Sequence, residues 1–398
     1  MKLLVFAQRL DPDESQMNAI ALADRLRETH GYDIVLHATD GPAAQMVRDR
    51  GFRFVPAPDV TYHPAPQRMA ALRRLVRGEG PDVIHAWDGW QGLEAYYAVH
   101  LRLGVPLLIS DLNADVTRYL PRNVPTTFGC AALAEAAAEL GWRFPMTLPM
   151  PVDTRTNAAE AVNGAGFRSR YGMKDGDVMI AAVAERPDAS ASGGTIRAIE
   201  AIRTLGQNLP LKLVLLGESD TDVNLRARVD AANRHLYREA VILTGAMPDP
   251  REAYAAADIV VGTGGSALRG LAFGKPLVVV GAAGFAATFT PQTAPGFLRS
   301  GMRGTGEGRF GGSAMLDALR PLAQRPQLRA QLGAFGRDFV VENHDFGRVA
   351  AQLAACCNAA KSGAASRMGD LVDAARTAFY VLRERRFRVA ARTTVPGR

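Results

Sequence analysis

The feature that most constrains this chain is an alternation that starts twice. Short runs rich in aliphatic and β-branched residues, "KLLVFA", "YDIVLHA", "DVIHAW" and "PLLIS", are bounded by Gly, Pro or Asp and separated by helical patterns over 15–29 and 92–102. Strands separated by helices are βαβ units, which build a parallel sheet covered on both faces. The pattern pauses near Pro149-Met150-Pro151-Val152-Asp153 and resumes with "VMIAAVA", "LKLVLLG", "AVILTG", "ADIVVG" and "PLVVVG". The expected fold class is therefore α/β, with two Rossmann-like parallel-sheet domains facing a cleft and helices at the C-terminal end. The expected boundaries are a first domain over 1–150, a linker over 151–177, a second domain over 178–361 and a basic amphipathic tail over 362–398. Helical patterns over 317–341 and 346–360 are expected to pack on the second domain.

Charge and composition serve mainly to exclude. The net charge of +7 sits largely in residues 366–398, where eight arginines face only Asp370, Asp373 and Glu384. The body has no basic stripe interleaved with aromatics, so nucleic acid is not an expected partner. No apolar run approaches the roughly 18 residues of a membrane span. The N-terminal "MKLLVFAQRLDPDE" reads as a first strand rather than a signal peptide. Cys130, Cys356 and Cys357 make no disulfide framework, which fits a cytoplasmic location. No metal-ligand spacing occurs, and neither a metal nor an organic cofactor is expected. For the tail two readings stay open: a helix packed on the body, crossing back to the first domain, or an interfacial anchor on anionic lipid at an inner membrane face.

The stretch "ADIVVGTGGSALRGLAFGKPLVVVG" (257–281) carries the most chemistry. Gly262-x-Gly264-x-x-Ala267 after a strand matches the dinucleotide fingerprint, but no acid follows Asp258 until Glu307, where a ribose partner is expected about 20 residues on. The alternative is a diphosphate held at the N-terminus of a helix by Gly264, Gly265 and Ser266.

Together with "LKLVLLGES", "VILTGAMPDPREAYAAADIVV", "ALRGLAFGKPLVV" and "LPMPVD", this loop resembles the GT-B glycosyltransferases, and within them the retaining group 1, or family 4, enzymes. The likeness is strongest over 178–281 and extends loosely over 1–360. It implies a hexosyl- or related transferase taking a nucleotide-diphosphate sugar, with a glycan, lipid-linked or small-molecule acceptor and no metal. It also implies an arginine and a lysine on the loop after the second domain's first strand, and two glutamates eight residues apart. Arg186 matches that arginine, while the lysine is missing near Ser192-Gly193. Arg269 and Val261 stand where the glutamates belong.

Three readings compete for Arg269: a surface helix arginine, a charge clamp on the diphosphate replacing the lysine, or the mark of a decayed donor site in a non-catalytic partner subunit. The clamp is the reading adopted, because a guanidinium suits bidentate phosphate binding. The catalytic candidates are thus Arg186, Arg269 and His85. The donor-binding candidates are Gly264, Gly265, Ser266, Glu218, Gly245 and Met247, the last two resembling the stretch whose backbone meets the base. The acceptor-binding candidates are Gln16, Asp88, Trp90 and Asp111, which sit at or just beyond strand ends of the first domain. A packed, satisfied histidine is the competing reading for His85. A nucleotide-sugar 2-epimerase of the same fold is the remaining enzymatic alternative.

Overall fold

A computed structural model describes residues 1–183, 191–217, 222–305, 313–363 and 367–383. The chain divides into two compact units, Met1–Pro149 with Phe346–Arg398, and Met150–Asp345.

The first unit holds a seven-stranded sheet of β1 (Lys2–Arg9), β2 (Asp33–Thr39), β3 (Arg53–Ala57), β4 (Val83–Trp87), β5 (Leu107–Asp111), β6 (Thr126–Phe128) and β7 (Pro145–Thr147). Its order is β3-β2-β1-β4-β5-β6-β7, and every pairing is parallel. Leu3 to Phe6 are at most 2% exposed, as a central strand covered on both faces requires. Leu3 and Val5 pack with α1 (Glu14–His30), while Leu4 and Phe6 pack with α2 (Pro66–Glu79) and α3 (Gly89–Ala95). Asp13 caps α1 by accepting the Gln16 N–H, and Gly31 ends it in the left-handed region at φ 64°. The order reverses direction between β1 and β4, so α1 and α3 leave adjacent strands toward opposite faces.

The second unit holds β8 (Val178–Val183), β9 (Leu211–Leu216), β10 (Val241–Leu243), β11 (Ile259–Gly262), β12 (Leu277–Val280) and β13 (Ala286–Thr288). Their order is β10-β9-β8-β11-β12-β13, parallel except for the β12–β13 pair. Here the reversal falls between β8 and β11. Among the helices between these strands, α4 (Ala191–Leu205) follows β8 and α5 (Gly264–Ala272) follows β11.

Two parts of the chain sit elsewhere than the sequence suggests. Residues 151–177, read as a linker, contribute Val152 and Phe167 to the second unit's core. Arg168 ties that segment down by donating to the Ala256 carbonyl and to Asp258. The last helices belong to the first unit rather than the second. There α6 (Pro326–His344) is the final helix of the second unit, and α7 (Phe346–Ser362) begins the return. Ala350, Ala354 and Cys357 of α7 share one core with Ala19 and Ala23 of α1, a pairing of small residues that suits helix against helix. The final helix, α8 (Arg367–Arg383), is held by polar contacts. Asp373 accepts the backbone N–H groups of Arg122 and Asn123, and the hydroxyls of Tyr96 and Tyr97 donate to the carbonyls of Asp370 and Ala374.

Candidate functional site

At the carboxyl ends of β8, β11 and β12 lies a small, open depression lined by Ala182, Val183, Gly194, Thr195, Val261, Thr263 and Val280. This is the reversal point of the second sheet, where open α/β sheets bind ligands. The first turn of α4 and the N-cap of α5 both border it, so the positive ends of two helix dipoles face one space.

The glycine loop is built for close approach. A Cβ on Gly262 would lie 2.6 Å from Ser266 Oγ, and Gly264 holds φ +54°. Thr263 and Ser266 form a capping box, each side chain bonding the other's backbone N–H. The Gly264 N–H donates to the Met302 carbonyl at 2.9 Å. Two of the first three N–H groups of α5 are thus committed within the protein, and Ser266 Oγ is a cap. Among the described residues only the Gly265 N–H of that turn is left for a ligand.

The cation beside this pocket is one that the sequence reading passed over. Arg197 places its guanidinium against Gly193 and Gly284, where a Cβ would come within 3.1 Å of Nη2 and 3.6 Å of Cζ respectively. Its Nη1 is buried without a hydrogen-bond partner, and among the described residues no carboxylate pairs with it. Arg197 as a whole is only half-buried, but a guanidinium nitrogen sealed without a partner near the positive end of its own helix is unfavourable until an anion arrives. The signal was present in "SGGTIR": an arginine in the second turn of a helix, four residues after Gly193, points back toward the helix start.

Arg269 lies on the last turn of α5, not at its N-terminus. It contributes to the field that holds the Asp249 carboxyl low, an effect led by hydrogen bonds from Arg251. Arg269 is thus within electrostatic reach of Asp249, in the loop that also carries Gly245, at φ +69°, and Met247, which packs partly buried on the core. Arg186 and Glu218 lie outside the described residues.

The first unit's candidates divide sharply. His85 is 1% exposed, its Nε2 2.8 Å from Ser110 Oγ in a chain that continues to Thr127, and burial pushes its pKa down to about 3. It is enclosed in the sheet and stays neutral. Gln16 is 3% exposed, with Oε1 buried and unpartnered. Asp111 is saturated: it accepts from Asn113 and from both the N–H and hydroxyl of Thr117, pinning the loop after β5.

Asp88 is different. It ends β4 at φ 114°, a conformation a non-glycine residue holds only under strain, and such strain collects at functional sites. Its carboxylate accepts from Gly89 N–H at 2.6 Å and from Gln8 Nε2. Burial pushes its pKa above the ordinary carboxylate value; hydrogen bonds from Gly89 and Gln8 oppose this, while the charge of Asp111 adds to it. Trp90 lies stacked with His63, centroids 5.2 Å apart, and with Tyr119 at 4.6 Å, so its ring is already engaged by protein. Beneath them Glu94, fully buried, binds Arg68 Nε at 2.7 Å and His63 Nδ1 at 3.0 Å. Burial alone would raise the Glu94 pKa, but the His63 bond and the Arg68 charge hold it below the usual range. Among the described residues no cluster of His, Cys, Asp or Glu has the makings of a metal site.

Residues 17–112, all in the first unit, match the family described as Glycosyltransferase Family 4. No curated protein sequence matches the chain. Among solved structures, a glycosyltransferase from Rickettsia africae is similar at 10% identity and TM-score 0.69, covering 91% of this chain and 99% of that one. HepE from Anabaena, crystallised with UDP, is similar at 14% identity and TM-score 0.68, covering 90% and 100%. UDP-GlcNAc 2-epimerase from Neisseria meningitidis, bound to UDP-GlcNAc, gives 11% identity and TM-score 0.58, covering 89% and 99%. The fold is GT-B, and the chain resembles the family 4 glycosyltransferases within it.

Proposed function

We propose that this protein moves a sugar from a nucleotide-diphosphate sugar to an acceptor hydroxyl, with retention at the anomeric carbon and without a metal ion. The observation that carries the reading is Arg197, whose Nη1 is buried without a partner and whose guanidinium lies against Gly193, next to a pocket residue, with two helix N-termini bordering that pocket. A departing nucleoside diphosphate gathers negative charge, and fixed cations and backbone dipoles stabilise it. In this reading the bond from the anomeric carbon to the diphosphate breaks, and the nucleotide keeps the electron pair. The acceptor oxygen bonds to the same face of that carbon, and its proton passes to the leaving phosphate oxygen. Arg197 and the Gly265 N–H hold the diphosphate. Arg269, whose charge reaches Asp249, serves the nucleoside end instead of the clamp first expected, and Arg186 remains a second cation for the phosphates. In the first unit Asp88, strained and with a raised pKa, takes an acceptor hydroxyl. His85, sealed in the sheet, takes no part.

Calorimetric titration with UDP, GDP, TDP and ADP tests this. One of them is expected to bind, and failure of all four at millimolar concentration overturns it. Two other readings have specific support. The absence of both family glutamates, with Arg269 and Val261 in their places, favours a catalytically inactive partner subunit. The likeness to UDP-GlcNAc 2-epimerases favours an epimerase. Donor binding without turnover in the presence of a panel of acceptors would select the first. An epimerised nucleotide sugar, seen by NMR without any acceptor, would select the second.

A further inference from the structure

We propose that the outward face of α8 docks on an anionic lipid bilayer. The helix is built inside out. On its inward side Asp373 and Thr377 are 8% and 0% exposed, and Asp373 accepts the N–H groups of Arg122 and Asn123. On its outward side Leu371, Val372, Phe379 and Leu382 are 66%, 67%, 60% and 82% exposed, with Ala375 and Ala378 open between them. Positions 371, 375, 378 and 382 fall on one helical stripe. A helix lying on a protein normally turns such a stripe inward. A contiguous exposed apolar face marks a surface that something covers.

Charge selects the occupant. Arg383 is exposed at the end of the helix, and the sequence that follows, 384–398, holds five arginines and one acid. The segments that anchor α8 add to this. Arg376 Nη1 donates to the carbonyl of exposed Arg118, and the Arg143 N–H donates to the carbonyl of Arg122, whose own N–H goes to Asp373. Arg143 is exposed, and beside it Phe144 is 43% exposed. Apolar side chains flanked by arginines are what an interfacial helix presents to anionic headgroups. A second copy would set arginine against arginine. The helix is about 25 Å long at 1.5 Å per residue, enough to lie along the surface, and among the described residues no helix is long and apolar enough to cross a membrane.

Docking in this way does not depend on the transferase reading, and vesicle co-sedimentation of the full chain tests it separately. Vesicles of phosphatidylcholine with phosphatidylglycerol are expected to carry the protein down, and phosphatidylcholine alone is not. Raising salt from about 0.1 M to about 1 M shortens the screening length roughly threefold and should release much of it. The double substitution F379S with L382S should lower partitioning at least about tenfold, since both side chains are exposed in the free protein and would be buried in lipid. Circular dichroism and unchanged thermal unfolding confirm that the variant is folded. Wild type that stays in the supernatant with anionic vesicles at low salt overturns the proposal. So does equal binding of the double variant, or a dimer of the wild type in sedimentation equilibrium that F379S with L382S dissolves.

Discussion

At the end of β4 the first unit pairs its buried acids, although the amides of Gln16 and Gln91 keep buried atoms without partners. Asp88 is met by Gln8 and Gly89, Asp111 by Asn113 and Thr117, and buried Glu94 by Arg68 and His63. At the ends of β8 and β11 the second unit does the reverse: its pocket is lined by small side chains and backbone, and Nη1 of nearby Arg197 is buried with no partner among the described residues. The two sheets reverse order in the same way, so topology does not account for the difference. It lies in whether the charged groups at the strand ends are paired before a ligand arrives. A surface completed in advance fixes shape and orientation, whereas one left short of an anion reserves its electrostatics for that anion.

That contrast is exposed most strongly by removing one charge from each side. Glu94→Ala leaves Arg68 buried and unpaired, and should destabilise the first unit by about 3–5 kcal/mol in urea unfolding. Arg197→Met should do the opposite: no loss of stability, because an unsatisfied buried group goes with it. Instead it should weaken nucleoside diphosphate binding about 10–100-fold by calorimetry, and weaken the bare nucleoside little. If Arg197→Met destabilises as Glu94→Ala does, the guanidinium is structural and the contrast fails. Backbone strain gives a smaller test. Gly264→Ala forces a side chain onto φ +54° and should cost about 1 kcal/mol, whereas Asp88→Gly relieves strain and loses a cap, leaving stability within about 1 kcal/mol. Acceptor turnover should nonetheless fall in Asp88→Gly.

The smallest effect is that of mild acid. Burial lowers the pKa of His37 to about 4 and of His85 to about 3. Between those values and the ordinary 6.5 the unfolded chain binds protons that the folded one refuses, so stability falls as pH falls. From pH 7 to 6 the loss should stay below about 1 kcal/mol for each histidine. Further acidification costs more as the low pKa of Glu94 comes into play, while the raised pKa of Asp88 works the other way. Trp87, Trp90 and Trp142 are the three tryptophans and all lie in the first unit, so their fluorescence follows that unit alone. A midpoint unchanged between pH 7 and 4 would contradict the histidine burial.

Local pattern made the sheets legible. "KLLVFA" and "LKLVLLG" announce central strands because a buried parallel strand needs little besides aliphatic side chains. β3, β6 and β7 did not announce themselves; "RFVPA", "TTF" and "PMT" are too short or too polar to show a period. The glycine loop was legible as a helix entrance, but that Met302 takes the Gly264 N–H is a contact 38 residues distant and leaves no trace in the motif. The Glu94–Arg68 pair, 26 residues apart, was invisible for the same reason. Periodicity showed that α7 and α8 each have an apolar face, and could not show that α8 turns that face outward. Only the polar partners contributed by Tyr96, Tyr97, Arg122 and Asn123 decide it.

The return of α7 and α8 to the first unit also sets a timetable. During synthesis the second unit, Met150–Asp345, has its whole sequence outside the ribosome while the chain is still growing. The first unit is sequence-complete only at the end, when Val349, Leu353 and Cys357 can close over Ala19 and Ala23. Until then its nascent sheet waits with α1 uncovered. The part of the protein that begins first is the part that finishes last.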